Sequence, residues 1–230
     1  MFNIRLFNPA ADPVAVANFY TWQSCTYAEF AAEKAATSTT KEELEDGCVY
    51  FIVAEDESTG EFVGGLRLYF RLAGMLLPVE RVLAGNYKLH QTLNRRSHLG
   101  IAEISGLWVQ SRWRGTGLSS ALVRVAVAAM PLLKAAYGIA FSHHHVLKSW
   151  YPIGFVIDHA AGRLPYPDTR YESSVIWIDP LTLRYARPEQ QALIFSHRDV
   201  LRRSGLIRWN PVDGEQSASP MSEARTNLPL

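Results

Sequence analysis

One segment, residues 101–122, constrains the fold most strongly; it reads IAEISGLWVQSRWRGTGLSSAL. Its first nine residues are typical of a β-strand, and a polar, basic turn follows at 110–114. Gly115 and Gly117 come next, and a run compatible with a helix begins at Leu118. The segment therefore predicts a strand, a glycine turn and a helix in direct succession.

The turn in this segment has the features of an anion-binding site. Backbone N–H groups at a helix N-terminus are free to bind a ligand, and the helix dipole favours negative charge there. Glycine lacks the Cβ that would prevent close approach. Arg112 and Arg114 add positive charge beside the turn. We interpret the segment as a phosphate-binding turn.

The remaining patterns predict alternating strands and helices. Residues 2–7 form a first strand, and Asp12 and Pro13 begin a helix that continues up to residue 36. The later elements are a capped helix at 39–46, strands at 49–54 and 62–70, a helix at 121–136, a strand at 137–142, a short helix at 145–150, strands at 153–158 and 174–178, and a helix at 188–203. This order predicts a mixed α/β (α+β) fold, with a twisted mixed central sheet and helices on both faces.

We expect one domain over residues 1–210 and a disordered tail over residues 211–230, which are rich in Ser, Pro and Glu. Residues 71–100 form an insertion between two core strands, and they contain a helix around 79–83. Loops of this length inside a domain are more often functional than idle. The insertion either covers a substrate pocket or packs as an apolar element on the core, and both interpretations stay open.

Composition and charge exclude some functions. The formal net charge of +1 argues against a nucleic-acid binder driven by overall charge. No apolar run approaches membrane-spanning length and no secretory signal is present, so we expect a cytoplasmic protein. Cys25 and Cys48 lack metal-ligand spacing and are expected to be reduced thiols. Three consecutive histidines, 143–145, do not form one ligand set, so no metal is expected, and one of them could instead touch a substrate.

Residues 109–119 resemble the acyl-donor motif of the GNAT superfamily of N-acyltransferases. The positions that carry the resemblance are Val109, Arg114, Gly115, Gly117 and Ser119. That motif has a Val that closes a strand, an Arg or Gln five residues later, and then x-x-Gly-x-Gly/Ala. Ser119 stands where Gly or Ala is usual. The resemblance covers residues 51–178.

A second motif supports this resemblance. Residues 150–155, WYPIGF, are similar to the Tyr-x-x-x-Gly-Phe segment of the same superfamily, although one residue fewer separates Tyr151 from Gly154. The resemblance implies that the strand before the donor motif splays from its neighbour and that a thioester arm lies in the gap. It assigns donor binding to Leu107, Trp108, Val109, Arg114, Gly115, Thr116, Gly117, Leu118 and Ser119.

Three residues are candidates for the chemistry of acyl transfer, which needs a base for the amine and an acid for the thiolate. Glu103 is the candidate base, and alternation along the strand places Ser105, Leu107 and Val109 on its face. The alternative role of Glu103 is an ion pair with Arg67. Ser105 is a candidate for orienting a water or the substrate. The resemblance makes Tyr151 the candidate acid.

A weaker resemblance links residues 65–68, the insertion and residues 102–105 to acyl-homoserine-lactone synthases and long-chain N-acyl amino acid synthases. Those enzymes usually follow Glu-x-Ser with Arg, whereas this chain has Gly106, so lactone synthesis is not favoured. The expected donor is acyl-CoA, with acetyl-CoA favoured, or an acyl carrier protein. The expected acceptor is a small-molecule amine. A non-catalytic ligand-binding module and a homodimer stay open.

Overall fold

The computed structural model describes residues 1–29, 39–167 and 169–211. The predicted continuation of the first helix to residue 36 and nearly all of the predicted disordered tail lie outside these residues. In the described part of the chain, nine strands form one sheet. They are β1 Phe2–Phe7, β2 Val49–Asp56, β3 Phe62–Phe70, β4 Ile101–Val109, β5 Tyr137–His143, β6 Val156–Ile157, β7 Arg163–Pro165, β8 Glu172–Ile178 and β9 Leu206–Trp209.

The strand order is β6-β8-β5-β4-β3-β2-β1-β9, and β7 pairs with β8. β4 and β5 run parallel, and the other pairs are antiparallel. The helices are α1 Pro13–Ala28, α2 Lys41–Glu45, α3 Pro78–Val82, α4 Tyr87–Arg96, α5 Leu118–Leu132, α6 Leu147–Trp150 and α7 Pro188–Ser204. The predicted mixed sheet within an α/β fold is therefore confirmed.

Hydrophobic residues are buried on both faces of the sheet, which is why helices cover both. One face packs against the Ala- and Val-rich α5, with Ile194 and Leu201 of α7 behind it. The opposite face packs against α1, α3 and α4 through Phe19, Val79 and Leu89. The central strand β3 is consequently buried along almost its whole length.

β4 and β5 separate part of the way along the sheet. They pair from Ile101 to Ile104 of β4 and from Tyr137 to Ala140 of β5, and the pairing stops there. Beyond that point Ser105, Trp108 and Val109 of β4 pair with β3, and no residue of 105–109 pairs with β5. The predicted splay is therefore present, and it opens a gap at the centre of the sheet.

A β-bulge in β4 adjoins this gap. Arg67 pairs with Ser105 and Gly65 pairs with Trp108, so two β4 residues oppose one residue of β3. The bulge contains Gly106 at φ +63°, where a Cβ would come within 2.5 Å of the Arg67 guanidinium. Glycine is therefore required at this position by both the backbone and the neighbouring side chain.

The bulge overturns the prediction that Glu103 shares its face with Leu107 and Val109. The extra residue shifts the alternation by one position. Glu103 and Ser105 point toward the face covered by α1 and α3, whereas Leu107 and Val109 pack on the face covered by α5. Periodicity alone gives no warning of a bulge.

The insertion folds into α3, α4 and a short 3-10 turn at Ser97–Leu99. α3 lies where a helix is predicted, and α4, capped by the Asn86 side chain, adds a second helix. Arg71 holds the insertion in place by donating two hydrogen bonds of 2.9 Å to the fully buried Glu80 and a third to Asn94. The insertion is thus packed against the sheet and tied to the end of β3.

Two further predictions differ from the structure. In the predicted strand at 153–158, Ile153 ends a 3-10 turn, Tyr151–Ile153, Gly154 follows at φ +110°, and only Val156–Ile157 is a strand. β7 and β9 were not predicted, because strands of three and four residues carry too little alternation to be recognised. β9 pairs with β1 and forms one edge of the sheet.

Candidate functional site

The gap between β4 and β5 holds two adjoining cavities. The outer cavity, of about 510 Å³, lies between the C-terminal half of β4, the glycine turn and the start of α5. The inner cavity, of about 280 Å³, lies over Glu103 and Ser105 and is covered by α3. The two cavities meet at a junction, which we define by the residues that line both of them: Tyr27, Leu107, Ser119, His143 and Val146.

The outer cavity has the predicted anion-binding turn at its end. Gly115 has φ +77°, and Gly117, at φ +88°, is the N-cap of α5. No side chain caps this helix, so its first backbone N–H groups are available to a ligand. No heavy atom outside the adjacent residues lies within 4 Å of a Cβ built on Gly115, so the space beside it is open.

The two arginines of the turn differ in their surroundings. Arg114 lines the outer cavity and donates a hydrogen bond from Nε to the Val109 carbonyl at 3.3 Å. Arg112 instead forms an ion pair with Glu61 at 2.7 Å, outside the cavity. Of the two charges predicted beside the turn, the Arg114 charge is therefore the one placed for a ligand.

Among the predicted donor-binding residues, seven line the outer cavity: Leu107, Trp108, Val109, Arg114, Gly115, Leu118 and Ser119. Thr116 and Gly117 complete the turn without lining the cavity. The Thr116 hydroxyl donates to the Trp113 carbonyl at 2.7 Å and so closes the turn.

Glu103 is the buried carboxylate of the inner cavity. It is 3% exposed, and one carboxylate oxygen accepts a hydrogen bond of 2.9 Å from the backbone N–H of Val79 in α3. Burial raises the pKa of Glu103 to about 8, although the Val79 N–H and the positive charge of Arg81 act in the opposite direction. Glu103 therefore remains largely protonated near pH 7 in the empty site.

The alternative pairing of Glu103 with Arg67 does not form. The Arg67 guanidinium donates to Thr39 at 3.2 Å and to Tyr20 at 3.4 Å, and it influences Glu103 only through its charge. Ser105 lines the inner cavity beside Glu103, as predicted. The insertion contributes Pro78, Val79 and Val82 to the lining, so it does cover a pocket.

Tyr151, the predicted acid, lies outside both cavities. Its side chain is 44% exposed at the start of the 3-10 turn. Counting four residues back from Gly154 leads to Trp150, and it is Trp150 that is buried and lines the inner cavity. Tyr151 therefore lies outside the cavities, and the side chain four residues before Gly154 is that of Trp150, which has no acidic proton.

The histidine run divides between two sides of the chain. His143 lines both cavities and His145 lines the outer cavity, with their rings stacked at 5.6 Å. His144 points the other way and contacts Ser174 at 2.8 Å and Glu172 at 3.3 Å. Within the described residues, no group of three or more His, Cys, Asp or Glu side chains is arranged to hold a metal ion.

Two tyrosines that sequence reasoning missed also line the inner cavity. Tyr27 at the end of α1 reaches the junction, with its hydroxyl 3.4 Å from the Leu107 carbonyl, and burial raises its pKa. Tyr166 lines the cavity from the segment between β7 and β8, and burial raises its pKa as well. Neither residue belongs to a motif, because each reaches the site only through the packing of its element.

Residues 16–146, more than half of the chain, match the model of the acetyltransferase (GNAT) family. The chain therefore belongs to the GNAT family. Its relatives include uncharacterized proteins of Mycobacterium tuberculosis and Mycobacterium bovis, each 29% identical over 205 residues, with 84% of this chain and 76% of theirs covered.

Solved structures with a similar fold include FeeM, an N-acyl amino acid synthase from uncultured soil microbes. It is 14% identical with a TM-score of 0.59, covering 84% of this chain and 98% of FeeM. MesI, a CoA-dependent acyl-homoserine lactone synthase, is 14% identical with a TM-score of 0.58, covering 85% of this chain and 95% of MesI. At these identities the similarity establishes the fold. In the residues that the structure describes, no helix combines the length and apolarity needed to cross a membrane.

Proposed function

We propose that the protein is an N-acyltransferase that moves an acyl group from acyl-CoA to the amine of a small molecule. The observation that carries the proposal is the junction of the two cavities. An anion-binding glycine turn lies at the end of one cavity, and a buried carboxylate lies in the other. This arrangement lets a phosphorylated thioester and an amine meet in the gap between β4 and β5.

In this proposal the outer cavity binds the donor. The N–H groups at the start of α5 and the Arg114 charge hold a phosphate, and the edge of β4 that β5 leaves unpaired faces the thioester arm. The acyl carbonyl then reaches the junction beside Ser119 and His143.

The inner cavity binds the acceptor. An amine arrives as an ammonium ion at neutral pH and must lose a proton before it attacks. Glu103 is the base for this proton, because a cation next to it favours its ionised form and lowers a pKa that burial has raised to about 8. Ser105 orients the amine or a water between the amine and Glu103.

The acyl donor could be an acyl carrier protein instead of CoA. An acyl carrier protein presents the same phosphopantetheine arm as CoA, and the fold is shared with MesI, described as CoA-dependent, and with the N-acyl amino acid synthase FeeM. We favour CoA because the glycine turn and Arg114 suit a phosphate-rich ligand.

Both cysteines are free thiols, which suits a reducing cytoplasm.

The proposal is tested by measuring thiol release from acetyl-CoA, octanoyl-CoA and octanoyl carrier protein with a library of amines and amino acids. We expect amine-dependent thiol release from a CoA donor, with the acylated amine found by mass spectrometry. Tight binding of CoA without transfer to any amine would favour a non-catalytic module. Thiol release from octanoyl carrier protein alone would show that the donor is acyl carrier protein and not CoA.

A further inference from the structure

The junction needs a group that can exchange a proton with both the amine nitrogen and the thioester sulfur. Tyr151 lies outside the cavities, and Trp150 in its place has no acidic proton. Glu103 lines the inner cavity but not the outer one. Of the side chains that line both cavities, His143 is the one whose ordinary pKa lies close to neutrality.

His143 is the last residue of β5 and pairs in register with Ser173 of β8. Its Nδ1 lies 2.7 Å from the Ser173 hydroxyl oxygen, and that hydroxyl donates to the Tyr166 carbonyl at 3.1 Å. A carbonyl can only accept, so the single proton of Ser173 is used there. The Ser173 oxygen therefore accepts from Nδ1, which places the proton of the neutral imidazole on Nδ1 and leaves Nε2 with a lone pair.

The ring is also held in orientation. His145 stacks on it at 5.6 Å, and Tyr171 lies at 4.8 Å from its centre. Among the described residues, none forms a hydrogen bond with Nε2. The titratable groups around His143 are His145 and Tyr171 beside its ring, Tyr166 at the far end of the Ser173 contact, and Tyr27 and Glu103 across the inner cavity.

We propose that His143 is a catalytic residue, and that Ser173 with the Tyr166 carbonyl positions it as the proton carrier of acyl transfer. This inference rests on the proposed function. Burial, and then the neighbouring His145, lower the pKa of His143, so the ring is neutral and able to accept a proton near pH 7.

One histidine is sufficient to account for the proton that leaves the amine nitrogen and the proton that the thiolate gains. Glu103 takes the first proton from the ammonium ion and passes it to solvent. The neutral nitrogen attacks the thioester carbonyl carbon, a C–N bond forms, and the second nitrogen proton passes to Nε2 of His143. When the C–S bond breaks, the same proton passes from Nε2 to the thiolate sulfur. The products are an amide and a free thiol, and His143 returns to its neutral form.

The first test does not need turnover. NMR of the full chain with ¹⁵N-labelled histidine, assigned with His143→Gln, reads the tautomer of His143 directly. We expect Nδ1 protonated and Nε2 unprotonated, and we expect Ser173→Ala to lose this preference. A wild-type His143 protonated on Nε2 would overturn the inference whatever the activity.

The second test uses kcat. His143→Gln keeps a polar side chain but cannot carry a proton, so kcat should fall about 100- to 10,000-fold while the donor KM changes little. Imidazole added to His143→Ala should restore part of the rate. Ser173→Ala should lower kcat less than His143→Gln does, and it should shift the pH profile of kcat. The reason is that the His143 imidazole stays in place but loses the hydrogen bond that orients it. His144→Gln is the matched control and should retain wild-type kcat, since His144 faces away from both cavities.

The outcomes separate the two proposals. A wild-type protein that transfers acyl groups while His143→Gln keeps its kcat refutes the role of His143 and leaves the function intact. A wild-type protein that binds CoA but transfers to no amine refutes the function, and the role of His143 falls with it.

Discussion

At the scale of single residues, burial determines the chemistry of this site. Glu103 and His143 line the same cavity, and burial raises the pKa of the first and lowers the pKa of the second. Both groups are therefore neutral near pH 7 in the empty site, and a cation beside Glu103 would favour the ionised form in which it can take a proton. The sequence drew attention to Glu103 because a carboxylate in an apolar strand needs a reason to be there, and the structure has it lining the inner cavity.

The raised pKa of Glu103 predicts how stability depends on pH. The folded protein holds this proton up to about pH 8, whereas the unfolded chain releases it near the ordinary glutamate pKa of 4.5. The stability due to the raised pKa is thus fully present below about pH 4.5 and is lost as the pH rises to about 8. Glu103→Gln cannot ionise, so its melting temperature should fall less than that of the wild type between pH 5 and 8. Thermal unfolding of both proteins checks this, with Glu189→Gln on the surface as control. Parallel curves for wild type and Glu103→Gln would contradict the raised pKa.

The same variant tests the proposed base. Glu103→Gln should reduce kcat/KM about 100- to 10,000-fold near pH 7, the range for general base catalysis. Because free amine forms by itself at high pH, part of the loss should be recovered as the pH approaches that of amine deprotonation. A kcat/KM profile across pH measures this. A folded Glu103→Gln protein with wild-type activity would show that Glu103 is not the base.

Gly115 and Gly162 offer a matched pair of substitutions that tests whether the glycine turn binds the donor. Both have positive φ, +77° and +79°, and a Cβ on either would meet nothing within 4 Å. Alanine at each position should therefore cost a similar strain of about 1 kcal/mol. Only Gly115→Ala should weaken CoA binding, by about tenfold or more, because it places a methyl group where the phosphate approaches. Calorimetric titration with CoA compares the two variants, and equal affinities would remove the turn from the donor site.

At the scale of elements, the insertion connects the outside of the fold to the buried Glu103 of the inner cavity. Arg71 holds Glu80, Glu80 caps α3 by accepting from the Leu77 N–H, and α3 presents the Val79 N–H to Glu103. The sequence predicted a helix here and left its role open between a cover and a packing element. In the structure the insertion packs on the core and also lines the inner cavity. The N–H contact could not be predicted, because it depends on the long-range docking of a five-residue helix.

Loosening this connection should affect the acceptor side of the site. Arg71→Lys keeps the charge but loses the two-pronged contact with Glu80, at a cost of about 2 kcal/mol in stability. The Val79 N–H should then be less well placed for Glu103, so the acceptor KM should rise severalfold while the CoA dissociation constant stays the same. Arg95→Lys is the control, since the hydrogen bond that Arg95 forms with the described residues is to Gln91, on the exposed side of α4. Steady-state kinetics with both substrates varied separates the two constants. A rise in the CoA constant alone would place the insertion on the donor side.

At the scale of the whole molecule, the fold was predictable and the face assignment within β4 was not. The strand–turn–helix segment and the alternating patterns predicted the mixed sheet, and the resemblance to the GNAT superfamily implied its splay. The bulge at Gly106 places Leu107 on the other face, and Tyr151, in a segment one residue shorter than the motif it resembles, lies outside both cavities. Both are one-residue changes in register, to which composition and periodicity are insensitive.

The edge strand β9 is a further long-range feature, and it packs behind the glycine turn. Trp209 of β9 stacks on Phe2 of β1 at 5.7 Å, and Phe2 meets the ring of Trp113 edge-on at 4.7 Å. Trp113 lines the outer cavity, and a Cβ on Gly117 would lie 3.9 Å from Trp209. These aromatic contacts run from the edge of the sheet to the donor turn.

Trp209→Ala should therefore weaken donor binding although Trp209 lines neither cavity. Removal of a buried tryptophan costs about 3–5 kcal/mol, so the melting temperature should fall as well. Trp209→Phe retains a ring that can stack on Phe2 and should recover most of the donor affinity. Trp177→Phe is the comparison variant, since Trp177 lies on the opposite face of the sheet and bonds Asp158 at 2.9 Å. CoA titrations well below each melting temperature separate binding from unfolding. If Trp209→Ala binds CoA as tightly as the wild type, the donor turn holds its shape without β9, and the first and last strands contribute stability alone.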